Sequence, residues 1–186
     1  MSFPTTPVPS SIKIVSIQPT LVSVTHSLKR QARTRGGQRW AIEAAYPPLS
    51  REDFAPLFAF GIAQKGQYST FTYIPPVYGN ATGDVSACTS AVEVAGTEVV
   101  TVTMTGTLKA GDFVKFASHD KVYMVTVDLT GSGELSIQPP LLEATTSASV
   151  TYDSVPFTMA FSTDIQSFDR GVPDLHSYKI SLVEVV

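Results

Sequence analysis

Apolar and polar positions first alternate regularly at residues 21–28 (LVSVTHSL), where Val22, Val24, His26 and Leu28 fall on one face and Ser23, Thr25 and Ser27 on the other. A period of two over this length predicts a half-buried strand. The strand is expected to run on through a basic stretch to Arg35. Gly36 and Gly37 then offer the positive-φ pair that a tight hairpin needs, and QRWAIEAAY returns with Trp40, Ile42, Ala44 and Tyr46 alternating. The expectation is two long antiparallel strands joined at the two glycines.

The period changes in PPLSREDFAPLFAFGIAQKGQY. Ser50 followed three residues later by Asp53 resembles a capping box, with Asp in the Glu position. Phe54, Leu57, Phe58 and Ile62 make an apolar stripe at helical spacing that ends at Gly66. This predicts one helix, with Pro56 as a cost because it deletes a backbone hydrogen bond past the first turn.

Downstream, STFTYIPP reads as a strand stopped by Pro75 and Pro76. From 77 to about 155 no helical period occurs; VVTVTMT, DFVKF, KVYMVTVDL, ELSIQ and ASVTYD alternate between Gly, Pro and Asp punctuation. Five or six strands in about 80 residues suggest a small barrel or sandwich. PFTMAFST and the terminal SYKISLVEVV then read as strands returning to the first sheet, which otherwise has too few strands to cover the helix's aromatic stripe. The fold class is therefore mainly β (β-rich α+β). Its expected layout is a discontinuous base domain at 12–76 and 156–186, an inserted all-β barrel module at 77–155, and a Pro/Ser/Thr-rich arm at 1–11 expected to be flexible.

Composition changes this picture in one respect. The 186 residues are 43% hydrophobic and only 16% charged, and the mean hydropathy is +0.12. That is little charge for a solitary soluble domain, so partners are expected to cover part of the surface. A net charge of -3 does not mark a nucleic-acid binder. The lone Cys88 excludes an internal disulfide or a Cys-based zinc cluster. Neither a secretory signal nor an 18-residue apolar run occurs, so synthesis in a cytoplasm without a membrane anchor is expected.

Candidate chemistry is sparse. His119 and Asp120 sit in ASHDK between two strand patterns, where the composition favours the bend of a β-hairpin over a catalytic or metal site. His26 and His176 have no ligand spacing to anything, and no nucleophile elbow or phosphate loop is present. Carboxylate pairs such as Glu43 with Asp53, or Asp164 with Asp169, have no geometry that sequence can supply. The strongest charge feature is LKRQARTRGGQR: Lys29, Arg30, Arg33, Arg35 and Arg39 place five of thirteen basic residues within eleven positions. A solvated hairpin and a phosphate-binding finger are both open readings. An arginine-rich extension pairing with acidic groups on a neighbouring subunit is preferred. No cofactor is expected.

The order of segments GGQRWAIEAAY, YPPLSREDFAPLFAF and KGQYSTFTY, with LKAGDFVKFASHDKVYMVT, IQPPLL and the terminal SYKISLVEVV, resembles distal tail proteins of long-tailed bacteriophages across about residues 20–186. The resemblance implies a non-enzymatic virion protein at the distal end of the tail. It further implies a homo-oligomeric ring, commonly a hexamer, between the tail tube protein and the tail-tip or baseplate hub and fibre proteins. On that reading the Lys29–Arg39 region builds subunit contacts and 77–155 is a peripheral OB-like or other barrel. Other readings are a tail-completion or capsid-decorating protein and a carbohydrate- or receptor-binding β-module. The last requires an exposed aromatic platform among Phe113, Phe116, Tyr123 and Tyr152.

Overall fold

A computed structural model describes residues 1–117, 119–171 and 174–186. The first strands are β1 (Ser11–Ile17), β2 (Thr20–Val24), β3 (Arg30–Thr34) and β4 (Arg39–Ala45), followed by helix α1 (Arg51–Ala63) and β5 (Phe71–Tyr73). Next come β6 (Ala87–Ser90), β7 (Val99–Thr105), β8 (Thr107–Leu108), β9 (Phe113–Phe116), β10 (Tyr123–Val125) and β11 (Leu129–Thr130). The remainder are β12 (Gly133–Gln138), β13 (Val150–Thr151), β14 (Phe157–Phe161), β15 (Phe168–Arg170) and β16 (His176–Glu184). The protein is mainly β with one helix, as the patterning predicts.

The chain forms two compact units. The barrel unit comprises Met1–Val8, Thr70–Met159 and Val185–Val186; the base unit comprises Pro9–Ser69 and Ala160–Glu184. Strand β14 passes from one to the other between Met159 and Ala160.

In the base unit, β4 lies between β1 and β16, antiparallel to both, with Ile42 opposite Ile14 and Leu182. Alternation buries Trp40, Ile42 and Ala44 from β4 and Tyr178, Ile180 and Leu182 from β16. The backbone N–H of Trp40 donates to the carboxylate of the fully buried Glu184 at 3.1 Å.

Helix α1 begins where the capping pattern places it. The Asp53 N–H donates to the Ser50 hydroxyl oxygen (3.3 Å), and that hydroxyl donates to the Asp53 carboxylate (2.8 Å). Its buried face differs from the expected stripe: Phe54, Leu57 and Gly61 are buried, Phe58 is half-buried, and Ile62 is 55% exposed. The reason is Gly61. A Cβ there would come within 3.0 Å of the Tyr178 hydroxyl, so the helix turns its smallest residue toward the sheet and Ile62 away from it.

The hairpin tip also differs. β2 pairs with β3 over five residue pairs, Thr20 opposite Thr34 through Val24 opposite Arg30, so the chain reverses at residues 25–29. That turn is held by Thr25, whose hydroxyl oxygen accepts from the Lys29 N–H at 3.2 Å, and Leu28 takes a positive φ of 59°. Gly36 and Gly37 do adopt positive φ, but they connect β3 to β4. β1 lies outside the expected strands: its Ser-Ile-Lys-Ile alternation lasts only four residues before Val15 adjoins Ile14.

In the barrel unit a six-stranded sheet runs β13-β9-β10-β12-β7-β6. It nearly closes: Thr89 bridges Ser149, and the Ser90 N–H donates to the Ala148 carbonyl at 2.9 Å. Along β7, Val100, Val102 and Met104 point inward and Val99, Thr101, Thr103 and Thr105 outward. The interior is completed by Leu108, Val114, Phe116, Tyr123, Val125, Leu135 and Ile137, each at most 1% exposed. A buried carboxylate pins the turn before β9: Asp112 accepts from the Thr82 N–H (2.9 Å), the Thr82 hydroxyl (2.7 Å) and the Lys109 N–H (2.9 Å). β5 pairs with β14, Tyr73 opposite Phe157. Within residues 1–11, Phe3 is buried with its ring 5.8 Å from Phe71 and 5.5 Å from Tyr73.

Candidate functional site

The His119 and Asp120 corner joins β9 to β10, which are antiparallel with Val114 opposite Tyr123. His119 is 4% exposed; its Nδ1 lies 2.8 Å from the Tyr123 hydroxyl and its Nε2 3.3 Å from the Ala144 carbonyl. A carbonyl only accepts, so Nε2 carries a proton, and in the neutral ring Nδ1 then accepts from the Tyr123 O–H. The Tyr123 oxygen in turn accepts from the Leu142 N–H at 3.1 Å. Both ring nitrogens are thus engaged in holding the barrel. Asp120 is exposed and pairs with Lys115 at 3.8 Å.

Three of the four carboxylates considered as pairs are bonded to other groups. Glu43 bonds Lys13 at 3.3 Å, Asp53 bonds Ser50, and Asp164 accepts from the Gln67 N–H at 3.0 Å. Burial pushes the Cys88 thiol up to about 11, so at neutral pH it is a protonated, buried group rather than a thiolate. Among the described residues no group of three His, Cys, Asp or Glu is placed to hold a metal ion, and no helix is long and apolar enough to cross a membrane. Phe113, Phe116 and Tyr123 are buried and Tyr152 is half-buried, so these rings form no open platform on the barrel.

The basic run lies on and beside the β2–β3 hairpin. Lys29 is in its turn, Arg30 and Arg33 are on β3, Arg35 follows β3, and Arg39 opens β4; all five are exposed. None has an acidic partner among the described residues. All ten residues of β2 and β3 are exposed, including Leu21, Val22 and Val24 at more than half of their surface. Among the described residues the pair hydrogen-bonds to no third strand. Val22 faces Ala32 and Val24 faces Arg30, so one face mixes aliphatic side chains with a guanidinium. Charge is divided unevenly between the units: the base unit carries ten basic and seven acidic side chains, net +3, and the barrel unit three and nine, net -6.

A second surface escapes sequence reasoning. An open cleft of about 610 Å³ in the base unit is lined from α1 by Phe54, Ala55, Phe58 and Ala59, with Arg51 at the helix start. Phe168, Arg170, Asp174 and His176 line it from β15, β16 and the segment between them. The His176 ring stacks on Phe54, centroids 4.8 Å apart and planes 4° from parallel, while Phe168 lies 4.7 Å from Phe54. Arg170 donates to the Asp174 carboxylate, and this bond, with the charge of Arg170 behind it, holds that carboxyl below its usual range. His176 is 7% exposed, yet its Nδ1 has no hydrogen-bond partner. The one sequence signal is the i, i+4 pair Phe54 and Phe58, since the SFDRG segment is too short to read as a strand.

Comparison with known proteins bears out the family resemblance. A family model described as the B domain of distal tail protein pb9 matches residues 78–152, the stretch that holds the six-stranded barrel sheet. The chain is also 30% identical over 117 residues to the distal tail protein pb9 of Escherichia phage T5, covering 59% of this chain and 57% of that protein. It thus spans somewhat over half the length of the relative it matches. The protein is related to phage distal tail proteins.

Proposed function

We propose that this protein is a non-enzymatic structural component of a bacteriophage tail, located at the distal end of the virion. It assembles as a homo-oligomeric ring, a hexamer by analogy with the family, between the tail tube and the tail-tip hub. The observation that carries the reading is the β2–β3 hairpin. A two-stranded sheet with both faces in solvent is marginally stable by itself, and this one exposes aliphatic side chains next to unpaired cations. Burial against a neighbouring subunit resolves both features, with Lys29, Arg30, Arg33, Arg35 and Arg39 meeting acidic groups there. Ring closure needs such a heterologous contact, in which one patch reaches a different patch on the next copy.

The test is sedimentation and electron microscopy of the purified protein across a salt series, together with localisation in virions. Closed rings at low salt that loosen as ionic strength rises, and copies at the tube's distal end, are the expected results. A protein that stays monomeric at high concentration in low salt, and is missing from the tube end, refutes the proposal.

A further inference from the structure

We propose that the cleft between α1 and the β15–β16 segment is a docking groove for an acidic, apolar peptide segment of another protein, which lays a large apolar side chain over the packed Phe58 and Phe168 rings, whose centroids are 5.0 Å apart, and a carboxylate against Arg51. Three independent features of the base unit support this. The first is the exposed side of α1. Ala55, Phe58, Ala59 and Ile62 follow one another at helical spacing, and Ala55, Ala59 and Ile62 are exposed in the folded chain. Two alanines in that row let a partner backbone approach closely.

The second is charge. Arg51 and Arg170 face a single carboxylate, Asp174, which already accepts from Arg170. Arg51 has no ion-pair partner among the described residues, so the uncompensated charge in the groove is positive and the complementary ligand is an anion. The third is His176. Its Nδ1 is buried, lacks a partner, and belongs to a ring that lines the cleft. A buried polar atom without a partner is uncommon in a finished core. Docking that shifts this ring on Phe54 would open the atom to a hydrogen bond from the peptide. Aromatic rings beside arginine are also the side chains that dominate binding energy at protein interfaces. The groove is separate from the β2–β3 hairpin, so the inference stands or falls apart from ring formation.

The experiment titrates the full-length protein into a fluorescein-labelled peptide, acetyl-Gly-Glu-Phe-Leu-Glu-Gly, and reads anisotropy. Saturable binding is expected, weakened about fivefold or more by Arg51→Ala or by a peptide with Gln in place of Glu, consistent with loss of an ion pair. Ala59→Arg, which fills the groove from an exposed helix position, is expected to weaken binding about tenfold or more, a loss of about 1.4 kcal/mol. Because Ala59 is exposed, this variant keeps the parent's circular dichroism and melting temperature. Phe168→Ser gives a second reading from the opposite wall. Absence of saturable binding overturns the proposal. So does Ala59→Arg binding like the parent, equal binding of the Gln peptide, or displacement of the peptide by free glucose with direct glucose binding at the same residues.

Discussion

The hydroxyl of Tyr123 lies 2.8 Å from Nδ1 of His119, and both residues are at most 4% exposed. This contact explains why a His-Asp corner that invites a catalytic reading is architectural. It also sets a cost. Tyr123→Phe keeps the ring but leaves the His119 Nδ1 and the Leu142 N–H without the oxygen that now serves both. Leaving a buried polar group unsatisfied costs about 1–3 kcal/mol. Equilibrium denaturation of Tyr123→Phe should therefore show a loss of about 2–3 kcal/mol, and a loss below about 0.5 kcal/mol would contradict the network.

Gly61 is required by Tyr178 rather than by the helix. Alanine at an exposed helix position gains about 1 kcal/mol over glycine. Here the added Cβ meets the Tyr178 hydroxyl at 3.0 Å, and that hydroxyl donates to Gln166 at 3.1 Å from a ring that is 1% exposed. Displacing it forfeits the hydrogen bond and strains a filled core, which outweighs the helical gain. Gly61→Ala is expected to destabilise by about 1–2 kcal/mol, and adding Tyr178→Phe should recover part of that loss. A stabilised Gly61→Ala would mean that the helix is free to move off the sheet.

These two sites mark what sequence can and cannot reveal. The ladders of β4, β7, β12 and β16 follow directly from alternation, because each strand buries one face more than the other. The helix start at Ser50 is equally legible, since a cap is a local event. Which face of α1 is buried is not local. Phe54, Phe58 and Ile62 satisfy the helical period, but the packing is set by Tyr178 and Phe161 pressing on Gly61, more than 95 residues away. The turn at 25–29 is hidden for another reason: Leu28 adopts a positive φ that glycine would adopt more readily, so the Gly36–Gly37 pair draws the prediction eleven residues downstream of Thr25. The aromatic cleft joins Phe54 to Phe168 and His176 through the fold alone. The basic run, by contrast, is visible in full, because an unpaired charge cluster needs no tertiary structure to be noticed.

Burial pushes the phenols of Tyr73 and Tyr178 up to about 12. In the unfolded chain they ionise near 10. The folded state therefore holds these protons more tightly, the associated stability is fully present below pH 10, and it is lost as pH rises from 10 toward 12. Two units on each tyrosine correspond to an upper figure of about 2.7 kcal/mol per residue. Stability measured by urea unfolding should be flat against these groups from pH 7 to 9.5 and fall steeply above 10. Tyr178→Phe should flatten part of that fall, and an unchanged slope would place the phenol in contact with water.

The hairpin supplies the sharpest separation of stability from assembly. Arg30, Arg33 and Arg35 are exposed and have no ion-pair partner among the described residues, so replacing all three by glutamate breaks no ion pair there. The melting temperature of the monomer should shift by little, since surface substitutions of this kind stay within about 0.5 kcal/mol each. Association is another matter. If the proposed ring forms and the hairpin meets acidic groups on the next subunit, three reversals convert attraction into like-charge contact at every interface, where juxtaposed like charges cost several kcal/mol. The variant should sediment as a monomer at concentrations where the parent assembles. Val22→Asp, on the aliphatic face opposite Ala32, should weaken assembly through burial rather than long-range attraction, so its defect should persist at high salt. Parent-like assembly of both variants would move the subunit contact off this hairpin and onto another surface of the protein.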